Sequence, residues 1–178
     1  NASMSILGKE PLILDRSESY IGVLIDDLVT KDNREPYRMM TSRAEYRLLL
    51  RQDNADLRLR KKGYKIGLIT EEQYQALLKK EDLIQKEIER LKNTTVGANK
   101  TIQTFLESQG STTLKTAASL AELICRPELS YDVLSEIDPD REAYALEICG
   151  KEKLPADVIE QVEIEIKYEG YIIRQLRQ

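Results

Sequence analysis

The sequence has 178 residues, of which 41% are hydrophobic and 33% charged, so it is long enough for one domain, or a domain with an appendage, around a thin core. It contains no His, which excludes Ser-His-Asp and Cys-His catalysis and histidine-ligated zinc. Its two cysteines, Cys125 and Cys149, are too few for an all-thiolate zinc site. No apolar run or signal-peptide pattern indicates a membrane or secreted protein, so we expect a reducing, cytoplasmic compartment.

The acidic balance of the whole chain hides a basic segment. The formal net charge is −4, but the segment from Lys31 to Lys65 contains eleven Lys or Arg and five Asp or Glu residues, a net +6, so the remainder carries −10. Local fields govern binding to polyanions, and this basic segment is therefore compatible with nucleic-acid binding. The alternative is a solvated face whose arginines pair with neighbouring acids.

Short elements are predicted in the first part of the chain. The apolar run Leu12–Leu14 is short enough for a strand. The block from Ser17 to Thr30 has apolar residues at helical spacing, although Tyr20, Gly22 and Val23 also allow a strand. Leu57 and Leu59 alternate with arginines, which suggests another short strand. We expect one helix here, with a short strand before it and another after it.

A capping-box pattern at Ser42–Glu45 predicts a helix that continues to about Arg51. In such a box the serine oxygen accepts from the Glu45 amide, and the Glu45 carboxylate reaches back to the first residue. On this helix Arg43, Arg47 and Arg51 are four residues apart and would form one stripe of guanidinium groups.

The longest predicted helix follows a second capping box, Thr70 to Gln73. Leu77, Ile84 and Leu91 recur at seven-residue spacing, which places them on one apolar seam. Acidic residues open the helix and basic residues close it, as the helix dipole favours. This periodic segment predicts the main structural element of the chain.

Further helices are predicted beyond this one. Asn99 is placed to cap a short helix, and another is expected to start at Thr112 or Thr113. The segment from Pro155 to the terminus shows both strand-like alternation and a helical stripe. Because it runs about twenty residues without a hairpin turn, we expect a terminal helix that reaches Arg177.

The sequence holds no motif for catalysis or cofactor binding. It lacks a G-x-G-x-x-G loop, a Walker loop and a C-x-x-C pair, and adjacent acids such as Asp26 and Asp27 diverge on a helix. We therefore assign no catalytic, cofactor-binding or metal-binding residue. Tyr37 and Tyr46 lie among the arginines, and since arginine binds phosphate bidentately and tyrosine stacks on unpaired bases, RNA binding is a candidate function.

Four long strings resemble the GidA/MnmG family in order and spacing: Arg16–Lys31, Glu35–Leu59, Lys62–Thr70 and Ile166–Gln175. The resemblance covers nearly the whole chain. It implies a flavoprotein that uses FAD, NADH and a methylene-tetrahydrofolate carbon donor. With an MnmE-type GTPase as partner, members of that family install a 5-carboxymethylaminomethyl group on the wobble uridine of certain tRNAs. The resemblance also implies a homodimer and no membrane association.

The resemblance implies that the chain is a piece of such an enzyme, inactive alone, with a mainly α fold. Residues 1–36 would be the strand-containing tail of the FAD-binding domain, 37–69 a basic connecting segment, and 70–178 a truncated helical domain. The family's Gly-rich loop and catalytic cysteines would lie upstream, and neither cysteine here matches them. No cofactor is therefore expected in this chain.

Two functions follow from this resemblance. In the first, the chain helps to position tRNA and to contact the partner protein. The residues expected to bind tRNA are Arg38, Arg43, Arg47, Arg51, Arg58, Arg60, Lys61 and Lys62. In the alternative, the chain is a helical interaction or dimerisation scaffold without direct RNA contact. There the helices 70–91 and 160–177 would dock a partner, while the basic segment pairs with acids of the flavin domain.

Overall fold

The structure, a computed structural model, describes residues 1–32 and 34–176. These residues are mainly helical, as the sequence predicts, with one small antiparallel sheet. Arg177, at the end of the predicted terminal helix, lies outside the described residues. In chain order the helices and strands are α1 (Ala2–Ile6), α2 (Tyr20–Thr30), a 3₁₀ turn (Thr41–Arg43), α3 (Ala55–Lys65), α4 (Glu71–Asn93), β1 (Thr95–Val96), α5 (Lys100–Ser108), β2 (Ala118–Ser119), α6 (Leu120–Ile124), a second 3₁₀ turn (Val133–Ile137), α7 (Arg141–Cys149) and α8 (Ala156–Leu176).

The chain divides into two compact units. The first unit holds Asn1–Leu78 and the chain from Tyr171 onward, and the second unit holds Lys79–Gly170. These two units are not the three segments expected from the sequence, whose boundaries lie after residues 36 and 69. Those boundaries stay predictions.

Helix α2 organises the first unit. Ser19 caps it, because its side-chain oxygen accepts a hydrogen bond from the Gly22 amide at 2.9 Å. Val23 on α2 packs with Ala44 and Leu50 in a small buried cluster. Gly22 lies against the preceding segment: a Cβ there would come within 2.6 Å of the Asp15 carbonyl carbon. The expected helix over 17–30 is thus confirmed from Tyr20 onward.

The helix predicted from Ser42 to Arg51 is wrong. The structure has one 3₁₀ turn at Thr41–Arg43, followed by turns up to Leu50. Arg16 donates to the Glu45 carboxylate at 2.7 Å and to the Arg43 carbonyl at 3.3 Å. A capping box would have used the Glu45 carboxylate, and a helix would have used the Arg43 carbonyl. Because Arg16 binds both groups, the helix that the local sequence predicts does not form.

Both strands predicted near the first part of the chain are also wrong. Residues 9–15 have no regular secondary structure, and Leu57 and Leu59 lie within α3. The alternation around Leu57 misleads because Arg58 points inward: it donates to Asn54 Oδ1 at 2.8 Å and to the Arg51 carbonyl at 3.0 Å. An inward arginine breaks the period of two on which the strand prediction depends.

The second unit contains most of the core. Helix α4 begins in the first unit, where its capping box forms as predicted: Thr70 and Gln73 exchange backbone-to-side-chain hydrogen bonds at 3.1 and 3.3 Å. Ile84 and Leu91 of α4 are buried, and Asn99 caps α5 through a 3.0 Å hydrogen bond from Ile102 N. The predicted long helix, the Asn99-capped helix and the terminal helix are confirmed within the described residues.

The predicted helix start at Thr112 or Thr113 is wrong. The chain there is irregular, and it then pairs β2 with β1 in antiparallel register, Thr95 opposite Ser119. The Gln103 side chain binds both backbone groups of Leu114, at 2.7 and 2.9 Å, which removes them from a helix. The helix begins only at α6, where Ser119 and Glu122 form a capping box.

Candidate nucleic-acid interface

A buried carboxylate organises the basic segment (Lys31–Lys65) of the first unit. Asp27 of α2 is fully buried, and its oxygens accept from Arg16 at 2.6 Å, Lys31 at 2.7 Å and the Tyr37 hydroxyl at 2.7 Å. These donors hold the pKa of Asp27 well below its usual range, Lys31 most strongly, followed by Tyr37 and Arg16. Asp27 therefore stays ionised and fixes the path of the chain around it.

Arg16 completes this centre. It also donates to Asp26 at 2.8 Å, and its bonds to Glu45 and then to Asp27 raise the pKa of its guanidinium. The pKa of Glu45 is lowered in turn, chiefly by Arg16. The centre formed by Arg16, Asp26, Asp27 and Glu45, which we call the Arg16–Asp27 centre, ties three parts of the first unit together.

Arg43, a predicted tRNA contact, is partly committed to this centre. Its guanidinium lies over the Tyr37 ring at 4.5 Å from the centroid, and its Nη1 is 3.9 Å from Asp27 Oδ2. Burial raises the pKa of Tyr37, and the hydrogen bond to Asp27 raises it further. The stacked pair of Arg43 and Tyr37 thus belongs to the packing of the first unit, which leaves only part of Arg43 facing solvent.

Three other predicted contacts have partners within the first unit. Arg51 donates to Asp53 at 3.1 Å and to the Leu48 carbonyl at 2.6 Å. Arg58 donates to several groups, including the Glu18 carbonyl, and burial lowers its pKa. Lys62 donates to the Glu18 carboxylate and lowers the pKa of Glu18. These three side chains bind groups of the first unit itself, so they are not available to bind a ligand in this arrangement.

The remaining predicted contacts face outward. Arg38, Arg47 and Lys61 are exposed, and Arg60 is half-buried. Within the part of the chain that the structure describes, Arg38, Arg47 and Arg60 have no hydrogen-bond or ion-pair partner. A guanidinium without an internal partner keeps all five of its N–H donors for a phosphate. The structure thus separates the eight predicted residues into two groups. The inward group is Arg43, Arg51, Arg58 and Lys62. The outward group is Arg38, Arg47 and Arg60, together with Lys61, which is exposed but also interacts within the chain.

Arg16 and Asp27 were not predicted as site residues from the sequence. Asp27 interrupts the apolar face of a predicted helix, and an acid at such a position is a signal for a buried ion pair. The partner could not be identified, because Arg16 is 11 residues away and its second partner Glu45 is 29 residues away.

Two other features, a metal cluster and a membrane-spanning helix, are absent from the described residues. Across residues 1–32 and 34–176, no cluster of three or more acidic or cysteine side chains could hold a metal ion. No helix in the same ranges is long and apolar enough to cross a membrane. The outward cations of the basic segment are the candidate site that the charge pattern of the first unit supports.

Comparison with known proteins gives consistent matches. A family model described as the tRNA modifying enzyme MnmG/GidA C-terminal helical domain matches residues 71–176. The tRNA uridine 5-carboxymethylaminomethyl modification enzyme MnmG of Caldicellulosiruptor saccharolyticus is 58% identical over all 178 residues, and that of Lachnoclostridium phytofermentans is 57% identical. The match covers 100% of this chain and 27% of either relative, so the chain spans about a quarter of their length.

A solved structure agrees with these relatives. Aquifex aeolicus GidA in its form II crystal superposes with a TM-score of 0.77 at 40% sequence identity. The match covers 99% of this chain and 25% of that chain. The helical architecture, the family model over residues 71–176 and the identity along the whole length together show that this chain belongs to the MnmG/GidA family.

Proposed function

We propose that this chain is the part of a wobble-uridine-modifying enzyme that holds tRNA in place. The observation that carries the proposal is the outward group of cations, Arg38, Arg47, Arg60 and Lys61, on the first unit. Family membership supports tRNA as the polyanion, because the relatives are named tRNA uridine modification enzymes.

The expected role of these cations is positioning. Contacts to phosphate fix the register and orientation of a nucleic acid without reading its sequence. The inward group acts indirectly, since Arg51 and Arg58 fix the loop and helix from which Arg47 and Arg60 project. On this proposal, the inward group stabilises the first unit and the outward group binds phosphate.

The flavin chemistry expected of the family does not fit the residues of this chain. A dinucleotide needs a Gly-rich loop whose amides reach the phosphates at a helix N-terminus, and the sequence has no such motif. We infer that FAD and NADH bind to other parts of a family-length enzyme. Contact with an MnmE-type GTPase and homodimer formation are likewise proposals for that whole enzyme.

The test is the salt dependence of tRNA binding. The variant Arg38→Ala/Arg47→Ala removes two exposed cations, and unmodified tRNA binding is measured by fluorescence anisotropy across a salt series. Each phosphate contact contributes about 0.7–0.9 to the slope of log K against log salt. We expect weaker binding and a slope flatter by about 1–2.

The matched control removes two exposed lysines from the second unit, Lys100→Ala/Lys115→Ala, and so changes the net charge equally. This control should leave the slope almost unchanged. Equal slopes for both double variants would mean that tRNA, if bound at all, responds only to the overall charge, and the proposed surface would be wrong.

A further inference from the structure

Helix α2 carries a row of large aliphatic side chains that faces solvent. Ile21, Ile25, Leu28 and Val29 have 59%, 56%, 51% and 75% of their surface exposed. Positions separated by four, seven and eight residues lie on one side of a helix, so these four side chains form a single face. We call this surface the outer face of α2.

The inner face of the same helix is already occupied. Val23 and Asp27 are fully buried, and Gly22 touches the backbone of residues 14–15. An α-helix that is apolar on both sides is typical of a helix buried on both sides. Single exposed aliphatic residues are ordinary, but a continuous group of four marks a surface that packs against something.

The two units differ in the size of their cores. Among the described residues, five hydrophobic side chains are buried in the first unit: Met4, Val23, Ala44, Leu50 and Leu77. Nineteen are buried in the second unit, which is of similar length. A unit of this size with so few buried side chains removes little apolar surface from water. Covering the outer face of α2 would add four large aliphatic side chains to the buried surface of the first unit.

We propose that the outer face of α2 packs against an uncharged, aliphatic surface from another segment of a family-length chain. Asp26 and Asp27 fall within the same stretch of the chain, but Asp27 is buried and both carboxylates are paired with Arg16. The exposed row itself is aliphatic, so we expect an apolar occupant. The relatives have about three quarters of their length outside the matched region. A segment on the same polypeptide acts at a high effective concentration, which favours it over a second copy. The proposal does not depend on tRNA binding.

The test uses a chimera in which residues 1–178 replace the aligned region of the Caldicellulosiruptor saccharolyticus relative. Leu28→Lys places a charge on the outer face, and Leu146→Lys is the matched control, since Leu146 on α7 is 50% exposed. We expect Leu28→Lys to lower the Tm of the chimera by about 5 °C or more, and Leu146→Lys to change it by about 1 °C or less. Leu28→Ala should lower it in the same direction by a smaller amount.

The 178-residue protein provides the second measurement. There the outer face is solvated, so Leu28→Lys should leave its Tm almost unchanged. If Leu28→Lys and Leu146→Lys affect the chimera equally, the outer face has no occupant and the proposal is wrong. If Leu28→Lys instead converts a dimer of the 178-residue protein into a monomer in sedimentation, the occupant is a second copy, which also overturns the proposal.

Discussion

Arg90 of α4 donates hydrogen bonds to both carboxylate oxygens of Asp138, at 3.0 and 2.7 Å, although the two residues are 48 positions apart. Arg90 also donates to Glu87 at 2.7 Å, and the Tyr131 hydroxyl donates to Glu87 at 2.7 Å. Burial alone would lower the pKa of Arg90, but the hydrogen bonds to Glu87 and Asp138 outweigh it and raise the pKa. This buried group of charges joins α4 to the turn before α7.

Removing one member of this group should be strongly destabilising. The Asp138 side chain is 4% exposed and Arg90 10%, so Asp138→Ala leaves a nearly buried guanidinium without its second carboxylate. We expect a loss of about 3–5 kcal/mol in the free energy of unfolding, measured by urea titration. The control is Asp82→Ala, which breaks the exposed Lys86–Asp82 pair on the same helix and should cost about 0.5 kcal/mol or less. Equal losses for the two variants would contradict the structural role given to Asp138.

The apolar seam of α4 gives a second prediction. Ile84 is 2% exposed, and Ile84→Asp places a carboxylate among apolar neighbours at a cost of about 3 kcal/mol or more. The next residue, Gln85, is exposed, so Gln85→Asp adds the same side chain on the solvent side. Melting followed by circular dichroism should show a much lower Tm for Ile84→Asp alone. Matching melting curves would mean that the buried side of α4 has been misidentified.

Two neighbouring arginines of the basic segment should differ in stability. Arg51 donates to Asp53 and to the Leu48 carbonyl, whereas Arg47 is exposed. We expect Arg51→Ala to lower the free energy of unfolding by about 1–2 kcal/mol and Arg47→Ala to change it by about 0.5 kcal/mol or less. In the tRNA titration the order should reverse for binding per folded molecule. A large stability loss for Arg47→Ala would place that residue in the inward group instead.

Acid should unfold the first unit through the Arg16–Asp27 centre. The folded-state pKa values of Asp27 and Glu45 lie below their ordinary values of 3.8 and 4.5, so the unfolded chain binds more protons in acid. Their contribution to stability is complete above about pH 5 and is lost as the pH falls through the folded-state values. The Tm should therefore stay constant from about pH 7 to 5 and fall below it.

The variant Arg16→Met tests the share of this effect that depends on Arg16. It removes the guanidinium that binds both carboxylates, so the Tm should be lower at neutral pH and should depend less on acid. Arg34→Met is the control, because Arg34 forms an exposed pair with Asp32. An unaltered acid dependence in Arg16→Met would mean that Arg16 does not cause the pH response, which would then come from the other donors to Asp27, namely Lys31 and Tyr37, or from other carboxylates.

The elements that could be predicted from the sequence are those determined by local signals. For α4 and α5 the capping side chain, the apolar period and the helix end all lie within one segment, so Thr70 and Asn99 indicated where each helix begins. Helix α8 had two competing periods, and its length resolved them correctly.

The failures trace to side chains that reach across the sequence. Arg16 binds Glu45 from 29 residues away, and Gln103 binds Leu114 from 11 residues away, and each contact removes groups that a predicted helix needed. The candidate site was affected in the same way: residue type alone could not separate Arg47, which faces solvent, from Arg51, which does not. The spacing of apolar residues and a short motif contain no information about hydrogen-bond partners that lie this far apart in the sequence.

The absence of a side chain at position 22 limits how this protein can evolve. Any β-carbon there would come within 2.6 Å of the Leu14 carbonyl oxygen, which is backbone and cannot rotate away. Even alanine would push α2 away from the backbone of Leu14 and Asp15. Because Arg16 follows directly, its guanidinium would also be displaced. In a saturation-mutagenesis library we therefore expect Gly22 to tolerate no replacement, and suppressors to lie in residues 14–16 rather than on α2.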